Sequence, residues 1–201
     1  MAVPQALAGA LLLLGPVSEM VVAVSNRWIS ESVRPRRLPR LALEQGIPAE
    51  HRVMVVMPSM LTSVAAIQAL AAQLEQHGIA NPQAEAQFAL LTDWADADQA
   101  TRADDDTLLA AAEDAVRGLN RQYPTDDGEP PRFLLLHRPR EWSETEQRHI
   151  GWERKRGKLE QLVDALASGN QAAFLDLGSA SRLVPGTPYI VTLDADTQLP
   201  P

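Results

Sequence analysis

With 201 residues, 45% of them hydrophobic, the chain can bury one sizeable core and has little room for a second complete domain. Its formal net charge of −8, with acids crowded between Asp93 and Glu129, would repel a phosphate backbone and argues against nucleic acid as a partner. Without cysteine there is no disulfide framework or thiolate metal site, and His51, His77, His137 and His149 lack zinc-binding spacing, so any metal must be held by oxygen.

In chain order, the first feature is "LAGALLLLGPVSEMVVAV", eighteen residues from Leu7 to Val24 in which only Glu19 is charged and Pro16 sits mid-run. A membrane span needs about 20 apolar residues, so residues 1–26 are expected to form an apolar helix that either enters a bilayer or is partly buried or interfacial. No Lys or Arg precedes the run, which fits a signal peptide badly. Arg27, Arg34, Arg36, Arg37 and Arg40 follow in a basic, Pro-rich connector, expected over 27–51. Beside a membrane helix, such a cluster would keep itself and the rest of the chain on the cytoplasmic side.

From residue 52 the pattern becomes regular. "RVMVVMP" (52–58) reads as a strand buried on both faces. The following helix has Thr62 or Ser63 as its cap, Ile67, Leu70 and Leu74 on one face, and Gly78 as its stop. "AQFALLTDW" (86–94) is the second strand. The Asp104 to Asp106 run suits the start of a second helix, striped by Leu108, Ala112, Val116 and Leu119 and ended by Pro124. "RFLLLH" is the third strand. Ser143 and Glu146 have capping-box spacing, which predicts a long helix from there to about Ala167. A Gly-rich connector then leads to the fourth strand, "YIVTL".

Alternating strands and helices predict an α/β fold, a mostly parallel sheet with flanking helices, preceded by the apolar helix. Ligands of such sheets sit at the carboxyl ends of the strands. Those ends are Pro58-Ser59, Thr92-Asp93, His137-Arg138 and Asp194-Ala195-Asp196. Neither a G-x-G-x-x-G loop nor a P-loop follows the first strand, so dinucleotide and P-loop sites are unsupported.

Asp194 and Asp196, one residue apart just past an apolar strand, could share a divalent cation or divide between a cation and a ribose hydroxyl. A solvated turn is the competing reading. An aspartate-nucleophile phosphatase also places D-x-D after a strand, but it expects Thr or Val where Gln198 stands, and its strand is usually the first of the fold. Asp93 could accept from the imide N–H of a uracil, or serve as a turn cap. "WERKRGK" offers Arg154, Lys155, Arg156 and Lys158 beside Gly157, either as diphosphate donors or as an exposed basic helix face. The four tryptophans fit a core or a sugar-stacking surface equally.

In order, these features resemble a nucleotide-sugar glycosyltransferase of the GT-A fold. "MPSMLTS" looks like the end of the first strand of family-2-like transferases, and "KRG" is similar to their Lys-x-Gly phosphate contact. "RRLPRLALEQGIP", "QFALLTDWADA", "LLHRPREW", "GWERKRGKLEQL" and "TLDADTQLPP" together resemble the glycosyltransferase region of cyclic β-1,2-glucan synthases, across about residues 16–201. The resemblance implies UDP-glucose as donor, Mg2+ or Mn2+, a glucan acceptor, and a bacterial inner-membrane protein with a cytoplasmic transferase domain. It implies donor contacts at Pro58, Ser59, Asp93, Lys155 and Asp194, with Asp196 and Asp194 on the metal.

The general base of such enzymes lies well downstream of the D-x-D and is expected beyond Pro201. Residues 52–201 are therefore expected to be a donor-binding half-domain, inactive by itself, with an uncovered strand edge. A non-catalytic nucleotide-sugar-binding or membrane-attached scaffold module is the alternative.

Overall fold

The computed structural model describes residues 2–32, 46–126 and 128–194. The chain divides into two compact units, Met1–Ala42 and Leu43–Pro201.

The first unit contains α1 (Ala2–Ser32), with Pro16 inside it. Within its segment Val3–Ser32 an 18-residue window has a mean hydropathy of 2.0, and none of that window is buried. At about 1.5 Å per residue this helix exceeds the roughly 30 Å of a bilayer core, so it is long and apolar enough to cross a membrane. Of the basic cluster, Arg27 pairs with Glu31 within α1 at 2.8 Å. Arg34, Arg36, Arg37 and Arg40 lie outside the described residues.

In the second unit four strands, β1 (Val53–Leu61), β2 (Ala86–Trp94), β3 (Phe133–Arg138) and β6 (Tyr189–Thr192), form one sheet in the order β3-β2-β1-β6. All three pairings are parallel, as the alternation of strands and helices predicts. β1, β2 and β3 read as continuous apolar runs because both their faces are covered, whereas β6 is largely exposed. Val55, Met57, Phe88, Leu90, Phe133 and Leu135 pack under α2 (Val64–Ala80) and α3 (Asp105–Gln122). Their alternates Met54, Val56, Ala89, Leu91, Leu134 and Leu136 pack under Leu162, Ala165 and Leu166 of α4 (Arg154–Ser168).

Local signals account for most of the boundaries. Ser63 caps α2, its hydroxyl accepting from the Ala66 N–H at 3.2 Å. The predicted stripe Leu108, Ala112, Val116 and Leu119 is the buried face of α3. Gly78 does not end α2. It lies inside the helix, where the Phe133 ring packs so close that a Cβ would approach it to 2.6 Å.

The predicted helix from Ser143 is corrected by the structure. Residues 141–150 form an antiparallel hairpin, β4 (Glu141–Ser143) and β5 (Arg148–Ile150), and the helix starts only at Arg154. The Ser143 hydroxyl does accept from the Glu146 N–H, at 3.3 Å, but the Gln147 N–H closes back on the Ser143 carbonyl at 2.8 Å. The capping signal is thus spent on a hairpin turn, which hydroxyls support as readily as a helix start. Ala97 then bridges to His149, tying the loop after β2 to the hairpin.

Candidate functional site

The strand order reverses at β1: the chain builds β2 and β3 on one side and returns to place β6 on the other. A crevice at such a point is where α/β sheets bind ligands. Here β6 pairs only with Val53 to Val56, whereas β1 continues to Leu61. The last bond between them runs from the Leu193 N–H to the Val56 carbonyl at 2.9 Å. Backbone groups alternate sides along a strand, so two residues later Pro58 turns its nitrogen toward the side of β6. Having no N–H to donate, proline there cannot continue the ladder with β6, and the pairing stops at Val56.

A cavity of about 580 Å³ opens beside these strand ends. Pro58, Ser59 and Met60 of β1, Leu70 of α2 and Trp94 of β2 form part of its wall, and Asp93, Asp96, Arg154, Lys155 and Lys158 supply its charge.

Beneath the cavity is a buried ion triad. The Arg138 Nε donates to Asp93 Oδ1 at 2.6 Å, and the Lys158 Nζ donates to Asp93 Oδ2 at 2.9 Å. Arg138 also donates from Nη1 to Gln161 Oε1 at 2.7 Å and from Nη2 to the carbonyls of Trp152 and Arg154 at 3.1 and 3.2 Å. Lys158 donates to the Ser59 carbonyl at 2.7 Å. The three charged groups thus fasten the ends of β1, β2 and β3 to the first turns of α4. Burial pushes the Lys158 ammonium below its usual pKa, and the facing Asp93 carboxylate opposes that shift.

Two glycines let the chain close over the triad. A Cβ at Gly151 would lie 2.8 Å from Asp93 Cγ, and one at Gly157 would lie 2.1 Å from the Trp152 carbonyl oxygen. Gly157 is thus packed against the chain's own Trp152 carbonyl.

The sequence-predicted residues are distributed as follows. Pro58, Ser59, Asp93 and Lys155 all border the cavity. Lys155, in the first turn of α4, forms an ion pair with Asp194, just past β6, and both side chains are exposed. Asp93 is buried with both oxygens engaged, yet a carboxylate has about four lone-pair sites, so one more donor can be accommodated. Asp196 lies outside the described residues. Among the described residues no cluster of three metal-ligating side chains occurs.

The basic run "WERKRGK" is neither wholly a clamp nor wholly an exposed face. Arg156 is exposed, Arg154 pairs with Asp96 and Glu146 at 3.0 Å each, Lys155 reaches Asp194, and Lys158 is buried. The tryptophans also separate. Trp94 is core, stacked edge-on to His137 at 4.2 Å, whereas Trp28, Trp142 and Trp152 are exposed.

Sequence reasoning did not single out Arg138 and Lys158 as partners of Asp93. The one available signal was Arg138's position at a strand end. It also missed Arg140, which is buried and grips Asp105 through Nη1 at 2.5 Å and Nη2 at 3.0 Å while donating from Nε to the Ala95 carbonyl at 2.7 Å. Arg140 thereby holds the loop that carries Asp96.

No family model matches the chain. Over 189 residues, 94% of this chain, it is 36% identical to the cyclic β-(1,2)-glucan synthase NdvB of Rhizobium meliloti (strain 1021). The chain spans 6% of that protein's length, so it is similar, almost from end to end, to one short stretch of a glucan synthase.

Proposed function

We propose that the second unit binds the nucleotide-sugar donor of a glycosyltransferase that builds a β-1,2-linked glucan, with UDP-glucose as the donor. The observation that carries this reading is the meeting of Lys155 and Asp194 at the strand-order reversal, beside the cavity. An ammonium in the first turn of a 15-residue helix, near its positive end, suits a diphosphate. A carboxylate on the facing strand end suits a ribose hydroxyl or a divalent ion. The cavity next to them is mostly apolar with Asp93 at its base, a fitting seat for a uracil whose imide N–H would donate to that carboxylate. The similarity to a glucan synthase over 94% of the chain supports the transferase class and the glucan product.

In this reading Lys155 would exchange Asp194 for the donor's phosphates, and Asp194 and Asp196 would hold Mg2+ or Mn2+. The ion would neutralise charge developing on the leaving diphosphate. The triad keeps α4 against the strand ends, so that Lys155 is presented in one position. Helix α1 would attach the protein to the inner membrane, with the second unit cytoplasmic.

Calorimetric titration with UDP and Mn2+ tests the reading. Binding should be metal-dependent, and Lys155→Ala and Asp196→Ala should each weaken it on the order of tenfold or more, as expected for charge-assisted hydrogen bonds. Absence of UDP binding at any metal concentration would overturn it in favour of a scaffold role.

A further inference from the structure

A second cleft, of about 360 Å³, lies on the β4–β5 hairpin. Trp142 and Trp152, 47% and 41% exposed, line it together with Glu141, Ser143, Glu146 and Arg154. Large aromatic side chains left half in water at a concave site mark a recognition surface.

Both rings are seated in advance. Trp142 lies directly across the hairpin from His149, with ring centroids 5.1 Å apart in an edge-on stack. Trp152 has its carbonyl held by Arg138 at 3.1 Å, and its indole edge sits where a Cβ on Gly157 would come within 2.7 Å. Little side-chain entropy remains to be lost on binding.

The surrounding chemistry selects the occupant. The lining sets three carboxylates, Glu141, Glu146 and Glu153, against Arg154 alone, and this net negative charge opposes a phosphate-bearing ligand, which removes a nucleotide or single-stranded nucleic acid despite the stacking surfaces. Carboxylates and the Ser143 hydroxyl accept from hydroxyl groups, and indole faces cover apolar C–H surface. A pyranose ring offers both, with hydroxyls around its rim and C–H groups on its face. From the paired tryptophans and their carboxylate rim, we infer that this cleft binds a neutral gluco-oligosaccharide. That the sugar is a β-1,2-glucan rests on the transferase reading above.

The position gives the cleft a use. Arg154 lines both this cleft and the donor cavity, bridging Asp96 on one side and Glu146 on the other at 3.0 Å each. A glucan held on the hairpin is therefore kept beside the donor without occupying the donor's seat.

The test titrates the full chain, in a sugar-free detergent, with a short β-1,2-linked gluco-oligosaccharide while the indole N–H resonances are followed by NMR. The Trp142 and Trp152 signals should move and the Trp94 signal should not. Trp142→Ala should weaken sugar binding on the order of tenfold, the loss of one good stacking partner, and leave UDP affinity unchanged. Glu141→Gln, which keeps the ring, should weaken it less. Failure of the sugar to shift either indole, or undiminished binding by Trp142→Ala, overturns the proposal. Sugar binding without UDP binding would keep this site and sink the donor site; UDP binding without sugar binding would do the reverse.

Discussion

His137 sits wholly inside the second unit, and acidification should expose what its burial costs. Its Nδ1 shares a hydrogen bond with the Thr92 hydroxyl at 2.7 Å, while its Nε2 is buried without a partner. Burial lowers its pKa from 6.5 to about 4, against the opposing pull of Asp93 and Asp105. A folded-state pKa below the unfolded value means that the unfolded chain takes up the proton first. Stability is therefore fully present above about pH 6.5 and is lost as the pH falls toward 4. Between pH 7 and pH 5 the linkage amounts to about 2 kcal/mol from this one ring. Urea unfolding, followed through the emission of Trp94, whose ring contacts His137, measures it directly. His137→Asn removes the titration and keeps a side-chain amide for Thr92. The wild type should lose about 2 kcal/mol more than the variant over that interval. An equal decline in both proteins would refute the buried, neutral imidazole.

Three further substitutions test the packing around the candidate site. Asp93→Asn removes the anion between Arg138 and Lys158 and leaves two buried cations without compensation, which should cost about 3–5 kcal/mol in urea unfolding; a loss near zero would mean that the triad is open to water. Gly157→Ala places a methyl group 2.1 Å from the Trp152 carbonyl oxygen, so the start of α4 must move. About 1–3 kcal/mol of destabilisation, with a change in the emission of Trp152, is expected, and an unchanged spectrum would contradict the close approach. Ser63→Ala removes the cap of α2 and should lower stability by about 1 kcal/mol while leaving UDP binding intact.

The first three strands were legible in the sequence because they are buried on both faces. A run such as "FALLTDW" or "RFLLLH" has few alternatives once helical patterns separate it from the next. What stayed illegible was either locally ambiguous or distant in sequence. Ser143 and Glu146 satisfy the spacing of a helix cap, but a hydroxyl that accepts from the N–H three residues on also stabilises a turn. Only the pairing of Glu141 with Ile150 decides for the hairpin. The triad is a matter of distance: Arg138 is 45 residues from Asp93, and Lys158 is 99 from the Ser59 carbonyl it donates to. No local pattern links them. Lys158 was readable only as one of a basic run, and the fold turns its ammonium inward and leaves Arg156 in water.

The distribution of charge reconciles an acidic chain with the anionic donor proposed for it. The net charge of −8 is a property of the whole surface, and beyond a Debye length of about 8 Å it is largely screened in physiological salt. At the cavity the local balance has the other sign. The triad sets two buried cations against one carboxylate, leaving one positive charge beneath the cavity floor, and low-polarity surroundings screen it poorly. Lys155 and the amino-terminal end of α4 add to it at the rim. Replacing the triad with apolar groups of similar volume is expected to leave the fold at least as stable, since buried ion pairs often fail to repay their desolvation. It would also remove the positive field from under the proposed diphosphate and free α4 to slide on the strand ends. The arrangement is thus better explained by what it holds in place for a ligand than by what it adds to folding.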